Sequence, residues 1–237
     1  MRLVMFDVDG TLVDNDGVDS ACYCQALKEA LGIGGIDTDW SHYSKVTDLG
    51  ITSEIIETKL SRPAQQRDIE AVRQSYLARL GKGIRRNRRS LLSVPGASAL
   101  IAHLRSLEDV RVCVATGGWR DAALLKLETV GIAVGDMPFA SSDDSDERHL
   151  IMLAAYRRAL AREGRPAFDA VLYVGDHVGD LANAEKLGYG FVGIGAGEYA
   201  QELRDAGAKY VMPDLLDIDY FLGALRSTPR TGSPLGS

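Results

Sequence analysis

Apolar residues occur in two different spacings along the chain. The spacing changes where strands are expected to give way to helices. Residues 3–6 form an apolar run of strand length that stops abruptly at acids, and similar runs cover residues 111–115, 170–174 and 191–194. Short apolar runs bounded by turn residues are typical of buried strands in a parallel sheet. We therefore expect a sheet whose strands come from both ends of the chain.

Between the first two of these runs, apolar residues recur at helical spacing instead. Helices are expected over residues 18–31, over residues 53–60 with Thr52 as the cap, and over residues 63–80. No strand is predicted between residues 14 and 93. This part of the chain is therefore predicted to be helical.

Beyond residue 95 the order becomes helix, strand, helix, strand, which is typical of a parallel sheet with crossover helices. We predict an α/β fold, a Rossmann-like doubly wound parallel sheet with an inserted α-helical cap. Residues 1–13 and 94–226 would form the catalytic core, and residues 14–93, here named the cap segment, would lie above the site. Residues 227–237, rich in Ser, Thr, Gly and Pro, are expected to form a flexible tail.

Composition narrows the class of protein. With 46% hydrophobic residues, 25% charged residues and a net charge of −6, the chain reads as a soluble enzyme, not a nucleic-acid-binding protein. Its three cysteines do not indicate a disulfide framework or a zinc site. No apolar run approaches the roughly 18 residues of a membrane helix, and the first residues enter a strand instead of a signal peptide. We expect a cytoplasmic protein without a membrane partner; the pattern carries no signal for an oligomeric state.

Polar stretches follow three of these apolar runs and a short strand predicted near residues 139–140. They are Asp7-x-Asp9-Gly10-Thr11, Thr116-Gly117-Gly118, an acidic tract that ends at Arg148, and Gly175-Asp176-x-x-x-Asp180. Each alone is also consistent with an ordinary turn or helix cap. Because the carboxyl ends of parallel strands share one edge of the sheet, the four together predict a single site.

The first stretch is the most specific of the four. Asp7 and Asp9 lie two residues apart, so in an extended segment their side chains share one side. Two crowded carboxylates are costly unless a cation lies between them or one of them holds a proton. Both conditions suit chemistry on phosphate esters, and Gly10 allows the backbone to turn sharply beside a ligand.

This set of stretches and its order resemble the haloacid dehalogenase superfamily, and the helical insert resembles that of its phosphoglycolate phosphatase and β-phosphoglucomutase branch. The resemblance implies that Asp7 is the nucleophile that forms an aspartyl-phosphate. It implies that Asp9 is first the general acid and then the general base. Thr116, with backbone N–H groups of Gly117 and Gly118, would bind the phosphoryl oxygens.

The same resemblance implies one Mg²⁺ ion. Its ligands would be Asp7, the backbone carbonyl of Asp9, and Asp176, while Asp180 would support the ion or orient its waters. Oxygen ligands without a cluster of His or Cys favour magnesium over zinc.

The third stretch departs from the commonest form of the family, which has a lysine there. No lysine lies within residues 127–185, and we assign the cationic role, binding phosphate, to Arg148. An arginine can hold phosphate with two hydrogen bonds. On this interpretation, replacing Arg148 with Ala should reduce activity far more than replacing Lys126.

The acid at position 9 points to phosphate esters, because the true dehalogenases that resemble this chain lack it. We predict a Mg²⁺-dependent phosphatase acting on a small phosphorylated metabolite. The alternatives are a phosphomutase of a sugar phosphate and a non-enzymatic, receiver-like phospho-switch, although receiver domains are shorter and lack the helical insert. A loop of the cap segment carrying Thr47, Asp48 and Gly50 is expected to contact the substrate.

Overall fold

A six-stranded parallel sheet forms the centre of the molecule in the computed structural model, which describes residues 1–14 and 17–230. The strands are β1 (Arg2–Phe6), β2 (Val13–Asp14), β3 (Leu92–Ser93), β4 (Val110–Ala115), β5 (Phe139–Ala140), β6 (Ala170–Gly175), β7 (Gly190–Ile194) and β8 (Tyr210–Met212). The order across the large sheet is β5-β4-β1-β6-β7-β8. The predicted Rossmann-like α/β fold is confirmed.

Helices connect these strands and cover both faces of the sheet. They are α1 (Val18–Leu31), α2 (Asp48–Leu60), α3 (Gln66–Arg86), α4 (Ala97–Ser106), α5 (Arg120–Thr129), α6 (Arg148–Glu163), α7 (Val178–Lys186), α8 (Gly197–Asp205) and α9 (Ile218–Ser227). The sequence pattern did not predict α8 or α9.

Strand β1 lies in the middle of the sheet, paired with β4 on one side and β6 on the other. Its side chains alternate between two apolar clusters, as expected for a strand with both faces covered. Val4 and Phe6 belong to the cluster that includes α4, α5 and α9, whereas Leu3 and Met5 belong to the cluster formed with α6, α7 and α8. The residue that follows β1 is therefore held at the centre of the sheet edge.

Three predicted helix boundaries in the cap segment are wrong. Helix α2 begins at Asp48, because the side chain of Thr47 accepts a hydrogen bond from Gly50 N at 3.0 Å. Thr52 is not a cap but lies inside α2. Helix α3 begins at Gln66 and continues to Arg86 instead of ending before Gly81, and Ile84 in this extension is buried.

The prediction that no strand lies between residues 14 and 93 is wrong at both ends of this range. Val13 pairs with Ser93 and Asp14 pairs with Leu92, so β2 and β3 form an antiparallel ribbon at the entry and exit of the cap segment. Each of these strands contains one apolar and one polar residue, so neither forms an apolar run that marks a strand.

The carboxyl end of the described chain packs on the sheet. Ser227 is the last residue of α9, and Thr228 donates a hydrogen bond to Ala224 O at 3.1 Å. The rest of the expected tail, residues 231–237, lies outside the described residues. None of the helices in the described ranges is long and apolar enough to cross a membrane.

Aromatic side chains join the cap segment to the core. Tyr23 of α1 and Tyr76 of α3 both pack against Trp119, which precedes α5, with ring centroids 6.1 and 5.8 Å apart. Trp119 is buried and belongs to the same apolar cluster as both tyrosines. The helices of the cap segment are therefore held over the carboxyl edge of the sheet.

Candidate active site

A cavity of about 1030 Å³ lies at the carboxyl edge of the sheet, beneath the cap segment. Every site residue predicted from the sequence lines it, although the four stretches are far apart in the chain. These residues are Asp7, Asp9, Thr116, Gly117, Arg148, Asp176 and Asp180. Their proximity follows from the strand order, because β1 lies between β4 and β6.

Asp7 lies at the floor of this cavity, directly after β1, and only 4% of its surface is exposed. Its backbone N donates to Val174 O at 2.9 Å, which ties it to β6. Oδ2 is 2.9 Å from Arg148 Nη2, whereas Oδ1 is buried and has no hydrogen-bond partner. Burial raises the pKa of Asp7 to about 7; Asp180 and Asp9 add to the rise, and Arg148 opposes it.

Arg148, the first residue of α6, bridges two carboxylates. Its Nε and Nη2 donate to Asp180 Oδ1 at 3.0 and 2.8 Å, and Nη2 also contacts Asp7. The guanidinium is planar and carries donors on two edges, so one side chain can orient both acids. Arg148 thus places a positive charge beside Asp7.

Three acids form a group that fits a metal ion. Asp7, Asp176 and Asp180 each offer a carboxylate oxygen, and these atoms lie within 4.8 Å of one another. Burial raises the pKa of Asp176 well above its usual value, with further contributions from Asp180 and Asp7. A bound cation would relieve this repulsion and satisfy the orphaned Oδ1 of Asp7. The set of oxygen donors therefore fits Mg²⁺.

Gly10 makes room for this acidic group. Its φ is +71°, and a β-carbon at this position would lie 1.9 Å from Asp176 Oδ2. Both the left-handed backbone and the close approach of Asp176 require glycine here.

The loop after β4 carries the predicted phosphate-binding residues. Thr116 is buried, and its Oγ1 accepts a hydrogen bond from Gly118 N at 3.2 Å. A β-carbon on Gly117 would lie 2.3 Å from Arg148 Nη1. Glycine at position 117 therefore allows the guanidinium to lie against the loop backbone.

Asp9 has a partner that the sequence analysis missed. Lys126 Nζ donates to Asp9 Oδ1 at 2.8 Å and lies 2.7 Å from Asp19 Oδ1, on helix α1 of the cap segment. Lys126 is 2% exposed. Burial lowers the pKa of Lys126, but Asp19 and Asp9 outweigh burial and raise it well above the usual value. A lysine at a buried position of α5, next to Leu127, was the available sequence signal.

The cap segment contacts the phosphate-binding loop through Asp48. Its backbone N donates to Gly117 O at 2.8 Å, and its Oδ2 accepts from Trp119 N at 2.8 Å. Burial raises the pKa of Asp48 to about 7, and Asp19 adds to the rise. Thr47 and Asp48 thus form part of the cavity wall, whereas Gly50, also expected in this loop, lies in the first turn of α2 and does not line the cavity. Contact of Thr47 and Asp48 with substrate stays a prediction.

The acidic tract before Arg148 also joins the cap segment to the core. Asp146 is 2.5 Å from Lys45 Nζ, and its backbone O accepts from Thr47 Oγ1 at 2.9 Å. Asp143 is 2.6 Å from Arg73 Nη1 on α3. The acids of this tract therefore form ion pairs with the cap segment, beyond the ordinary turn or helix cap that its sequence alone indicates.

Comparison with known proteins identifies the family. A sequence model described as haloacid dehalogenase-like hydrolase matches residues 4–185. No curated protein matches the chain.

Solved structures with the same fold cover nearly the whole chain. A hydrolase from Pseudomonas syringae is 24% identical, with a TM-score of 0.70 over 94% of this chain and 98% of that one. A putative β-phosphoglucomutase from Bacteroides vulgatus is 18% identical, with a TM-score of 0.68 and coverage of 96% and 89%. CbbY from Rhodobacter sphaeroides, in complex with phosphate, is 20% identical, with a TM-score of 0.63 and coverage of 91% and 95%. At these identities the similarity shows the fold alone.

Proposed function

The chain belongs to the haloacid dehalogenase-like hydrolase family, and from this membership we propose that it is a Mg²⁺-dependent phosphatase. Its substrate would be a small phosphorylated metabolite, hydrolysed through an aspartyl-phosphate on Asp7. The observation that carries the proposal is the environment of Asp7, a buried carboxylate held by Arg148 at the floor of a large cavity. A carboxylate nucleophile splits one difficult hydrolysis into two displacements.

In the first displacement an oxygen of Asp7 attacks phosphorus, and the bond between phosphorus and the ester oxygen breaks. Asp9 gives its proton to the departing oxygen, so the alcohol leaves neutral. Thr116 and the backbone N–H groups of Gly117 and Gly118 hold the phosphoryl oxygens, and Arg148 offsets their charge.

In the second displacement a water molecule attacks the phosphorus of the aspartyl-phosphate. Asp9, now a carboxylate, takes the proton of this water, and the bond between phosphorus and Asp7 breaks. The products are inorganic phosphate and the starting protein, with Asp7 ionised and Asp9 protonated again.

The residues that would hold Mg²⁺ are Asp7, the backbone carbonyl of Asp9, and Asp176, with Asp180 in support. When bound, the ion neutralises charge that builds up on the transferring phosphoryl group. The spacing of the three carboxylates and the orphaned Oδ1 of Asp7 support this assignment.

We also propose a division of labour within the chain. Residues 1–13 and 94–226 would carry the chemistry, and the cap segment would select the leaving group. The position of Asp48 against the phosphate-binding loop supports this division, because it brings a side chain of the cap segment to the place where the leaving group would lie.

A phosphate-release screen with and without Mg²⁺ tests the proposal. The panel contains sugar phosphates, phosphoglycolate, nucleotides and phosphoamino acids, and the products are identified by NMR. We expect repeated turnover that releases inorganic phosphate, and its loss in Asp7→Asn, because an amide is not a competent nucleophile. Asp169→Asn is the control, since Asp169 is exposed and pairs with the chain's amino group before β6.

Undiminished turnover by Asp7→Asn would contradict the aspartyl-phosphate mechanism. Isomeric sugar phosphates in place of free phosphate would support the phosphomutase alternative. A phosphorylated protein that persists without turnover would support the receiver-like switch.

A further inference from the structure

We propose that Lys126 is a positioning residue for Asp9, holding one carboxylate oxygen so that the other faces the leaving group. The inference rests on the proposed phosphatase function, in which Asp9 moves the proton. Lys126 is carried by α5, which supplies none of the residues assigned to the site from the sequence. Its Nζ lies 2.8 Å from Asp9 Oδ1 and 2.7 Å from Asp19 Oδ1.

A buried ammonium group requires partners of opposite charge, because removing an unpaired charge from water is costly. Lys126 has two carboxylate partners, and its Nζ lies 5.9 Å from the ring centroid of Tyr76. Tyr76 in turn donates its hydroxyl to Asp19. The lysine is thus fixed from the cap side by Asp19, and it offers a stationary donor to Asp9.

The contact with Oδ1 determines where the second oxygen of Asp9 lies. A β-carbon built on Gly118 would be 3.6 Å from Asp9 Oδ2 and 3.6 Å from Thr116 Oγ1. Oδ2 is therefore beside the phosphate-binding loop, on the side where the transferring group would be held. A proton on Oδ2 is directed to the ester oxygen, and Oδ1, which accepts from Lys126, is not available to carry it.

This geometry predicts an effect that depends on the leaving group. The departing oxygen of an alkyl phosphate needs a proton, whereas p-nitrophenyl phosphate releases a stable nitrophenolate that does not. A misplaced Asp9 should therefore impair the first substrate much more than the second. Replacement of Lys126 with Met removes the donor and keeps an unbranched side chain of similar length.

The experiment compares kcat/KM of the full chain, with Mg²⁺, for the best alkyl phosphate of the panel and for p-nitrophenyl phosphate. This parameter reports the first displacement, in which the leaving group departs. For Lys126→Met we expect a loss of about 10²- to 10⁴-fold on the alkyl ester, the usual contribution of a general acid, and a much smaller loss on the nitrophenyl ester. Leu127→Val, which shortens the neighbouring buried side chain on α5, should leave the ratio of the two values unchanged.

Asp19→Asn provides a second variant that keeps the lysine, in case Lys126→Met does not fold. Loosening the anchor of Lys126 should reduce kcat/KM in the same sense, more on the alkyl than on the nitrophenyl ester. Equal losses on both substrates, or no loss on either, would overturn the positioning role. Asp7→Asn, measured in parallel, keeps the two proposals apart: if it retains activity, the aspartyl-phosphate mechanism itself is wrong.

Discussion

At the scale of single residues, the site is defined by two cations, each of which lies between two carboxylates. Arg148 lies between Asp7 and Asp180, and Lys126 lies between Asp9 and Asp19. Removing one partner of such a pair leaves an uncompensated buried charge, which is far more costly than losing a surface ion pair. For that reason Lys126 is also expected to matter for activity, and the larger loss expected for Arg148→Ala than for Lys126→Ala stays a prediction.

Asp48 gives a prediction about stability and pH. Its pKa of about 7 in the folded protein lies above its ordinary value of 3.8, so the folded state holds a proton that the unfolded state releases earlier. Stability is therefore lost as the pH rises from about 4 to about 7. Asp48→Asn keeps an acceptor for Trp119 N without the charge, so its Tm should exceed that of the parent by about 2–4 °C above pH 7, the shift that about 1 kcal/mol produces in a chain of this size.

The measurement is thermal unfolding of the parent and the variant from pH 5 to pH 8. The difference in Tm should grow with pH and level off above pH 7. Glu57→Gln is the matched control, because Glu57 lies on the same helix and is exposed. A difference in Tm that does not vary with pH would show that the charge of Asp48 is not its source.

At the scale of elements, the loops that follow the strands supply residues of the site. The loop after β4 is packed tightly against α6, since Gly117 has no room for a side chain beside Arg148. A β-carbon built on Gly118 would make only ordinary van der Waals contacts, because its nearest neighbours lie 3.6 Å away. Two neighbouring glycines thus have different tolerance for a methyl group.

Gly117→Ala should therefore displace the guanidinium of Arg148 from Asp7 and reduce kcat severalfold or more. Gly118→Ala is the matched variant and should lose much less. Both can be measured with the substrate found in the phosphate-release screen, and thermal unfolding checks that each variant is folded. A larger loss in Gly118→Ala than in Gly117→Ala would contradict the steric argument.

The elements also show how much the sequence predicts. The buried strands of the sheet were recognisable because each is a short apolar run, and their order brought the polar stretches to one edge. The ribbon of β2 and β3 was not recognisable, since each strand joins one apolar residue to a polar one, Asp14 or Ser93, and so forms no apolar run. The start of α2 was missed because Thr47 and Thr52 are both acceptable caps by residue type.

The candidate site was predictable where it depends on strand ends and unpredictable where it depends on packing between distant helices. Asp7, Thr116 and Asp176 directly follow strands of the core, Arg148 begins α6, and the structure brings all four to one cavity. Lys126 meets Asp9 only because α5 packs beneath the cap segment, and no local pattern encodes that contact. The roles assigned to all these residues stay predictions until they are measured.

At the scale of the whole molecule, the acidic group at the sheet edge should couple metal binding to stability. Burial raises the pKa of Asp7 from 3.8 to about 7 and that of Asp176 well above its usual value, so without an ion stability falls as the pH rises from about 4 towards these raised values. Magnesium at about 100 times its Kd should add about 2.7 kcal/mol. In a chain of this length that corresponds to a rise of about 5–10 °C in Tm.

Thermal unfolding at pH 8 and pH 5.5, with Mg²⁺ or with a chelator, measures this coupling. The gain in Tm should be larger at pH 8, because protons compete with the ion for the carboxylates at pH 5.5. Asp176→Asn should lose most of the gain, whereas the exposed-site variant Asp169→Asn should keep it. An equal gain in the Asp176 variant would assign the effect to another site.

The ribbon formed by β2 and β3 affects how easily the cap segment can be exchanged. Because the two strands pair directly, the cap segment leaves the core and returns to it at points about 5 Å apart, the spacing of neighbouring strands. A segment attached in this way can be exchanged for another of any length without stretching the core between its ends. A different cap segment can therefore be grafted onto the same core, and under the proposed division of labour this exchange would change the ester that is cleaved.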